Sequence, residues 1–215
     1  HVICKPEQLE EEFEKVLDLV KFTMDKLGIK DVWYRFSKWD PENKDKYIDN
    51  PQAWGESQVM MKKLLDKLNL EYKEADGEAA FYGPKLDLQY HDIYGKEDTL
   101  ITIQIDFALP DRFDLTYTDK DGQERRPMVI HRSSSGATER TLSYLLEKTQ
   151  GKLPLWLNPV QVKILTVADR FNKFADNLAQ KYREAGIRIE VDERTESIPY
   201  KVRDAELQKV NYILV

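Results

Sequence analysis

The chain has 215 residues, of which 41% are hydrophobic, 11% aromatic and 33% charged, with a formal net charge of −6. That profile supports one large or two modest domains with real cores and excludes disordered, collagen-like and coiled-coil classes. No apolar run approaches the roughly 20 residues of a membrane span, a single cysteine precludes an internal disulfide framework and fits a cytoplasmic setting, and the excess acid argues against binding polyanions through bulk charge.

From the start, His1-Val2-Ile3-Cys4 has neither a basic n-region nor an apolar h-region, so no signal peptide is expected. Residues 6–28 read as one helix, with Pro6 in the first turn and Gly28 just past the end. Leu9, Phe13, Val16, Leu17, Val20, Met24 and Leu27 recur on one helical face. Val32 to Phe36 alternates as a strand, 40–51 is a polar loop, and 52–70 is a second helix with Trp54, Val59, Met60, Leu64 and Leu68 expected inward. The period then changes to 2. Strands are predicted at 86–90, 100–107, 114–118 and 128–130, separated by the turn signals Gly83-Pro84, Tyr94-Gly95-Lys96 and Asp121-Gly122. A helix over 136–149 follows. This order predicts an α+β unit built on an antiparallel sheet.

Leu153 to Pro159 carries two prolines and is the expected boundary, giving domains 1–155 and 156–215. Beyond it, strand-like 160–167, a helix face marked by Phe171, Phe174, Leu178 and Tyr182, strand 187–191, helix 200–210 and a strand from Tyr212 give a βαβαβ order. That predicts a partial α/β domain with parallel pairing. This segment holds ten Lys/Arg against nine Asp/Glu, so the excess acid lies in the first 155 residues. The closing Tyr212-Ile213-Leu214-Val215 reads as the middle of a buried strand, so the chain is expected to be a piece of a longer one.

Three stretches stand out chemically. Phe81-Tyr82-Gly83-Pro84-Lys85 places a lysine after a tight turn at a sheet edge. Gln104 and Asp106 share one face of a strand that otherwise alternates apolar, and polar groups there need partners or a ligand. Ile130 to Arg140 runs from a strand end through a small-residue turn into a helix, with Arg140 near the helix start, where a phosphate-binding cation fits. Read singly, each has an ordinary explanation: a surface arginine, a structural histidine, a hairpin carboxylate, a tag remnant at His1.

Together, "FYGPKLDLQ…TIQIDF.LPDRFDLTY…VIHRSSSGATERTLSYLLE…G.LPLWLNPVQVKIL" resembles the threonyl-tRNA synthetase family over essentially the whole chain. "VIHR…G…ER" is similar to the third signature motif of class II synthetases, with IHR typical of the threonyl branch. "LPLWLNPVQV" is similar to the junction with the anticodon-binding domain shared by prolyl, glycyl and histidyl enzymes. The resemblance implies the second half of the catalytic domain followed by the start of the anticodon-binding domain. It implies ATP-dependent ligation of L-threonine to tRNA(Thr) through a threonyl-adenylate, Mg2+ with ATP, a homodimer and no membrane association.

It also implies roles for residues. Zinc in this family binds the amino and hydroxyl groups of threonine through two His and one Cys. His131 and His1 match the two histidines, the Cys lies outside this chain, and Cys4 matches a core position. Arg140 matches the arginine that holds the γ-phosphate of ATP, with Ser134 and Ser135 beside it. Tyr82, Lys85, Gln104 and Ser133 match the wall of the amino-acid and adenylate pocket, Gln104 and Arg140 being the catalytic pair. Arg203 matches a basic residue on the anticodon side. There are departures: Ser134 and Ser135 stand where bacterial relatives carry bulky apolar residues, Thr99 replaces a glutamine, and Thr195 replaces an asparagine that helps read the anticodon. The first and second signature motifs are absent from these residues. The alternative reading is a catalytically inactive paralogue acting as an RNA-binding or regulatory module.

Overall fold

The computed structural model describes residues 1–215. They divide into two units, His1–Thr141 and Leu142–Val215. The first holds β1 (Val2–Cys4), α1 (Leu9–Leu27), β2 (Trp33–Ser37), α2 (Pro51–Lys67), β3 (Tyr72–Ala75), β4 (Lys85–His91), β5 (Glu97–Asp106), the one-turn α3 (Leu109–Arg112), β6 (Tyr117–Thr118), β7 (Glu124–Arg125) and β8 (Met128–Arg132). The next helix, α4 (Thr138–Thr149), begins in this unit and ends in the other.

Six strands form one sheet in the order β1-β8-β5-β4-β2-β3. Every neighbouring pair is antiparallel except β2 and β3. The strands expected from the sequence, β4, β5 and β8, do pair antiparallel, and β3 adds one parallel edge. Parallel neighbours need a crossover, and α2 supplies it between Ser37 and Tyr72. β3 itself escaped the sequence reading because Tyr-Lys-Glu-Ala has no apolar alternation. Charged residues on an outer strand are the usual defence against edge pairing.

The sheet has two chemically distinct faces. Phe36, Leu86, Leu88, Ile101, Ile103, Ile105 and Ile130 are all buried and project to one side. α1 lies against β1 and β8, and its buried Leu9, Phe13, Val16, Leu17, Val20 and Met24 follow the predicted stripe. On α2 the buried set is Trp54, Ser57, Met61, Leu64 and Leu65. Val59 and Met60, expected inward, are exposed. At about 100° per residue they stand one to two residues off the line through Trp54 and Met61, so apolar character misled where spacing did not.

A bulge marks β5. Leu88 pairs with Ile101 but Gln89 pairs with Thr99, so Leu100 is an extra residue. Consequently Thr99 shares a face with Thr102 and Gln104 despite the odd separation. The predicted strand over 114–118 shrinks to Tyr117–Thr118, which pairs with Glu124–Arg125. Pro110 sits in the first turn of α3, and Asp114 at φ +52° interrupts the extended chain.

The second unit contains β9 (Val162–Leu165), α5 (Asn172–Glu184), β10 (Ile189–Asp192), α6 (Ile198–Leu207) and β11 (Tyr212–Leu214). Its sheet is parallel, in the order β10-β9-β11, as the βαβαβ pattern predicts. Val162, Ile164, Ala175, Ala179 and Ile189 form its core, with Leu178 and Tyr182 packed on it. Phe174, expected on the buried face of α5, is 70% exposed. The small Ala175 and Ala179 take the contact line, because a helix laid close on a sheet favours side chains that let the backbone approach.

Candidate active site

The polar face of the first sheet carries the site. On it His131 of β8 stands opposite Gln104 of β5, and Gln104 stands opposite Lys85 of β4. Ser37 of β2 continues the row opposite Lys85. Antiparallel pairing thus turns positions 37, 85, 104 and 131, distant in sequence, into one rank across four strands.

Asp106 fixes His131. It is fully buried. Its Oδ1 accepts the backbone N–H groups of Ala108 and Leu109 at 2.8 and 2.9 Å. Its Oδ2 is 2.7 Å from His131 Nε2. A carboxylate offers only acceptors, so Nε2 donates, and in the neutral ring that leaves the lone pair on Nδ1. The His1 ring meets His131 edge-on at 4.7 Å between centroids, placing two imidazoles side by side. Tyr82 packs its ring 5.2 Å from His131 and donates its hydroxyl to Gln104 Oε1. Burial, then the charge of Asp106, pushes the Tyr82 phenol up, so it stays a donor at neutral pH.

Two glycines bring backbone close. A Cβ on Gly83 would lie 1.8 Å from the Ile105 carbonyl oxygen, so the FYGPK turn reaches β5 only with glycine there. Gly136, at φ +70°, would put a Cβ 2.1 Å from the Leu100 carbonyl oxygen. That glycine presses the turn between β8 and α4 onto the bulge. Arg140 then donates to the Thr99 carbonyl and lies 3.6 Å from Asp98. The Ser133 hydroxyl donates to the Gly136 carbonyl at 3.0 Å, and the Thr141 hydroxyl to that of Ser135.

The resulting cleft, of about 480 Å³, is lined by His1, Thr102, Gln104, His131, Ser133 and Arg140 among others. Of the residues expected from the sequence, it gathers His1, Gln104, His131, Ser133 and Arg140. Tyr82 and Lys85 join through Gln104, by hydrogen bond and by strand pairing. Ser134 and Ser135 lie in the same turn but not in the lining. Thr195 and Arg203 belong to the second unit. Thr195 borders a separate cavity of about 220 Å³ beyond the C-terminal ends of β9 and β10. Arg203 is an exposed residue of α6. The sequence reading missed Arg35 and Asp87, which meet on the polar face beside Lys85. The available signal was a charge between two leucines in Leu86-Asp87-Leu88, within a stretch read only as a strand.

The class is defined by this layout: an antiparallel-rich sheet with a polar face, closed by a strand-turn-helix motif ending in Glu139-Arg140. The model for the class II core domain of tRNA synthetases (G, H, P, S and T) matches residues 1–149, and that for an anticodon-binding domain matches 161–215. The chain belongs to the class II tRNA synthetase core family. It is 54% identical over its whole length to threonine–tRNA ligase of Clostridium perfringens and 56% identical to that of Clostridium botulinum, spanning 34% of each. A crystal structure of the RNA binding domain of threonyl-tRNA synthetase from Cryptosporidium parvum superposes with a TM-score of 0.87 at 34% identity, covering 98% of this chain and 52% of that one. The chain thus spans about a third of the length of the two Clostridium ligases. None of its helices is long and apolar enough to cross a membrane.

Proposed function

We propose that the protein to which these residues belong is a cytoplasmic, homodimeric threonine–tRNA ligase. The threonine carboxylate attacks the α-phosphorus of Mg2+-bound ATP, the bond to the β-phosphate breaks and pyrophosphate leaves. The terminal hydroxyl of tRNA(Thr) then attacks the adenylate carbonyl and AMP leaves. The observation that carries this reading is the cross-strand pair Gln104–His131 in one cleft with Arg140.

Such chemistry needs alignment and charge stabilisation more than covalent help from the protein. Arg140 supplies a fixed cation for ATP phosphates, with Ser134 and Ser135 beside it. Gln104, oriented by the Tyr82 hydroxyl, faces the amino acid together with Lys85 and Ser133. The residues fit zinc: with Nε2 engaged by Asp106, a neutral His131 would offer Nδ1 to the metal, His1 adjoins it, and a cysteine outside these residues would complete a set of two nitrogens and one sulfur. Bound zinc supplies the polar contact by which threonine is chosen over isosteric valine, a choice that shape alone makes poorly.

The domain junction lies at Leu153–Pro159, and Thr195 and Arg203 face the anticodon stem-loop. Threonine-dependent ATP–pyrophosphate exchange by the full-length protein tests the reading. Exchange with threonine but not valine or proline, lost in His131→Ala, is the expected result. Absence of exchange from folded, zinc-supplied protein would sink it in favour of an inactive RNA-binding paralogue.

A further inference from the structure

We propose that Asp87 is the positioning residue of the cleft floor, holding the Lys85 ammonium and the Thr102 hydroxyl in place for an anionic oxygen of the substrate. This rests on the ligase reading above. Asp87 lies on β4, two residues from Lys85 and directly opposite Thr102, itself a cleft-lining residue. Its side chain is fully buried, and both oxygens are engaged. Oδ1 accepts from the Thr102 hydroxyl at 2.9 Å. Oδ2 accepts from the Ser37 hydroxyl at 2.7 Å and from Arg35 at 3.1 Å, and lies 3.0 Å from Lys85 Nζ.

The charge balance distinguishes this cluster from a simple ion pair. Two cations share one buried carboxylate. Arg35 is also met from more exposed positions by Glu97 at 3.3 Å and Glu78 at 3.5 Å, so its charge is balanced from the rim. Arg35 further donates from Nε to the Ser37 hydroxyl at 3.1 Å, closing a ring of contacts behind Asp87. Lys85 keeps a share of its positive charge while being held in place. A lysine ends in a compact point charge on a flexible four-carbon stem, so a fixed ammonium needs an anchor such as this. The anion served is either the amino-acid carboxylate or the α-phosphate of ATP, which share the chemistry of a singly charged oxygen.

The test uses the full-length protein with Asp87→Asn, Lys85→Met, the double variant and Thr102→Val. KM and kcat for pyrophosphate exchange are measured with threonine and ATP varied separately. Asp87→Asn is expected to raise one KM by about tenfold, with kcat within about threefold. A rise for threonine identifies the carboxylate, and a rise for ATP identifies the phosphate. The double variant should be no worse than Lys85→Met alone, since both act on one contact. Additive losses, or equal damage to both substrates and kcat, would overturn the proposal. If Asp87→Asn does not fold, Thr102→Val should still raise the same KM two- to threefold, and an unchanged KM overturns it. A readout independent of catalysis is competitive acetylation of lysines, followed by mass spectrometry. Lys85 should react severalfold faster in Asp87→Asn than in the parent while Lys62 and Lys96 do not change, and an unchanged Lys85 rate overturns the anchor. Absent exchange in the parent protein instead overturns the ligase reading, leaving the acetylation result to judge Asp87.

Discussion

Asp106 reaches His131 from a position that leaves it little freedom, because its other oxygen already holds two backbone N–H groups. Replacing Asp106 by Asn swaps an obligate acceptor for a group that can also donate, and the tautomer of His131 is no longer dictated. Zinc retention by the full-length protein, measured by chelator competition, should fall by about 10- to 100-fold, the range for supporting carboxylates. Gly136 makes a different demand. An alanine there keeps a left-handed φ and drives its Cβ into the Leu100 carbonyl, so Gly136→Ala should cost about 3 kcal/mol or more in urea unfolding. At this scale much was legible: Gln104, Asp106, His131 and Arg140 announced themselves as polar residues where alternation or a helix start made them conspicuous. Asp87 was equally out of place between Leu86 and Leu88. It passed unnoticed because only its partners, 15 and 50 residues away, show that it is enclosed.

Among the elements, long amphipathic helices were predictable and short polar strands were not. α1 follows its stripe from Leu9 to Met24, with Leu27 half-buried at the end, since nineteen residues average out local exceptions. β3 and β7 have four and two residues, mostly charged, and exist because a neighbour offers a ladder. Element ends obey local chemistry. Asn50 caps α2 by accepting the Ala53 N–H at 3.1 Å, so Asn50→Ala should lose about 1 kcal/mol of stability in chemical denaturation. In the second unit Asp192 receives two hydrogen bonds from the Arg194 guanidinium, at 2.9 and 2.6 Å. That pairing pulls the Asp192 carboxyl down to about 2. The folded value is below the unfolded one of about 3.9. The stabilisation is therefore complete above about pH 4 and disappears as pH falls through about 2. Thermal melting of this unit across that window should steepen in pH for the parent and flatten for Arg194→Met.

For the molecule as a whole, 215 residues carry a cleft but only a third of the length of the relatives. The chain by itself is expected to show no threonine-dependent exchange, and the full-length protein to show it under identical conditions. The parallel second unit was readable as a βαβαβ order because a helix separates each strand from the next. The mixed first sheet was less so, because nothing local tells β2 to pair with both β3 and β4. One consequence concerns time rather than energy. His1 reaches His131 only because Val2 pairs with Ile130, closing a loop of about 128 residues through a strand of three. Local hairpins such as β4–β5 can form early, whereas this closure must wait for nearly the whole unit. During synthesis, the histidine translated near the start of this segment stays without its neighbour until β8 has emerged, so the site matures late. In the 215-residue chain itself, amide exchange should be faster in β1 than in β5.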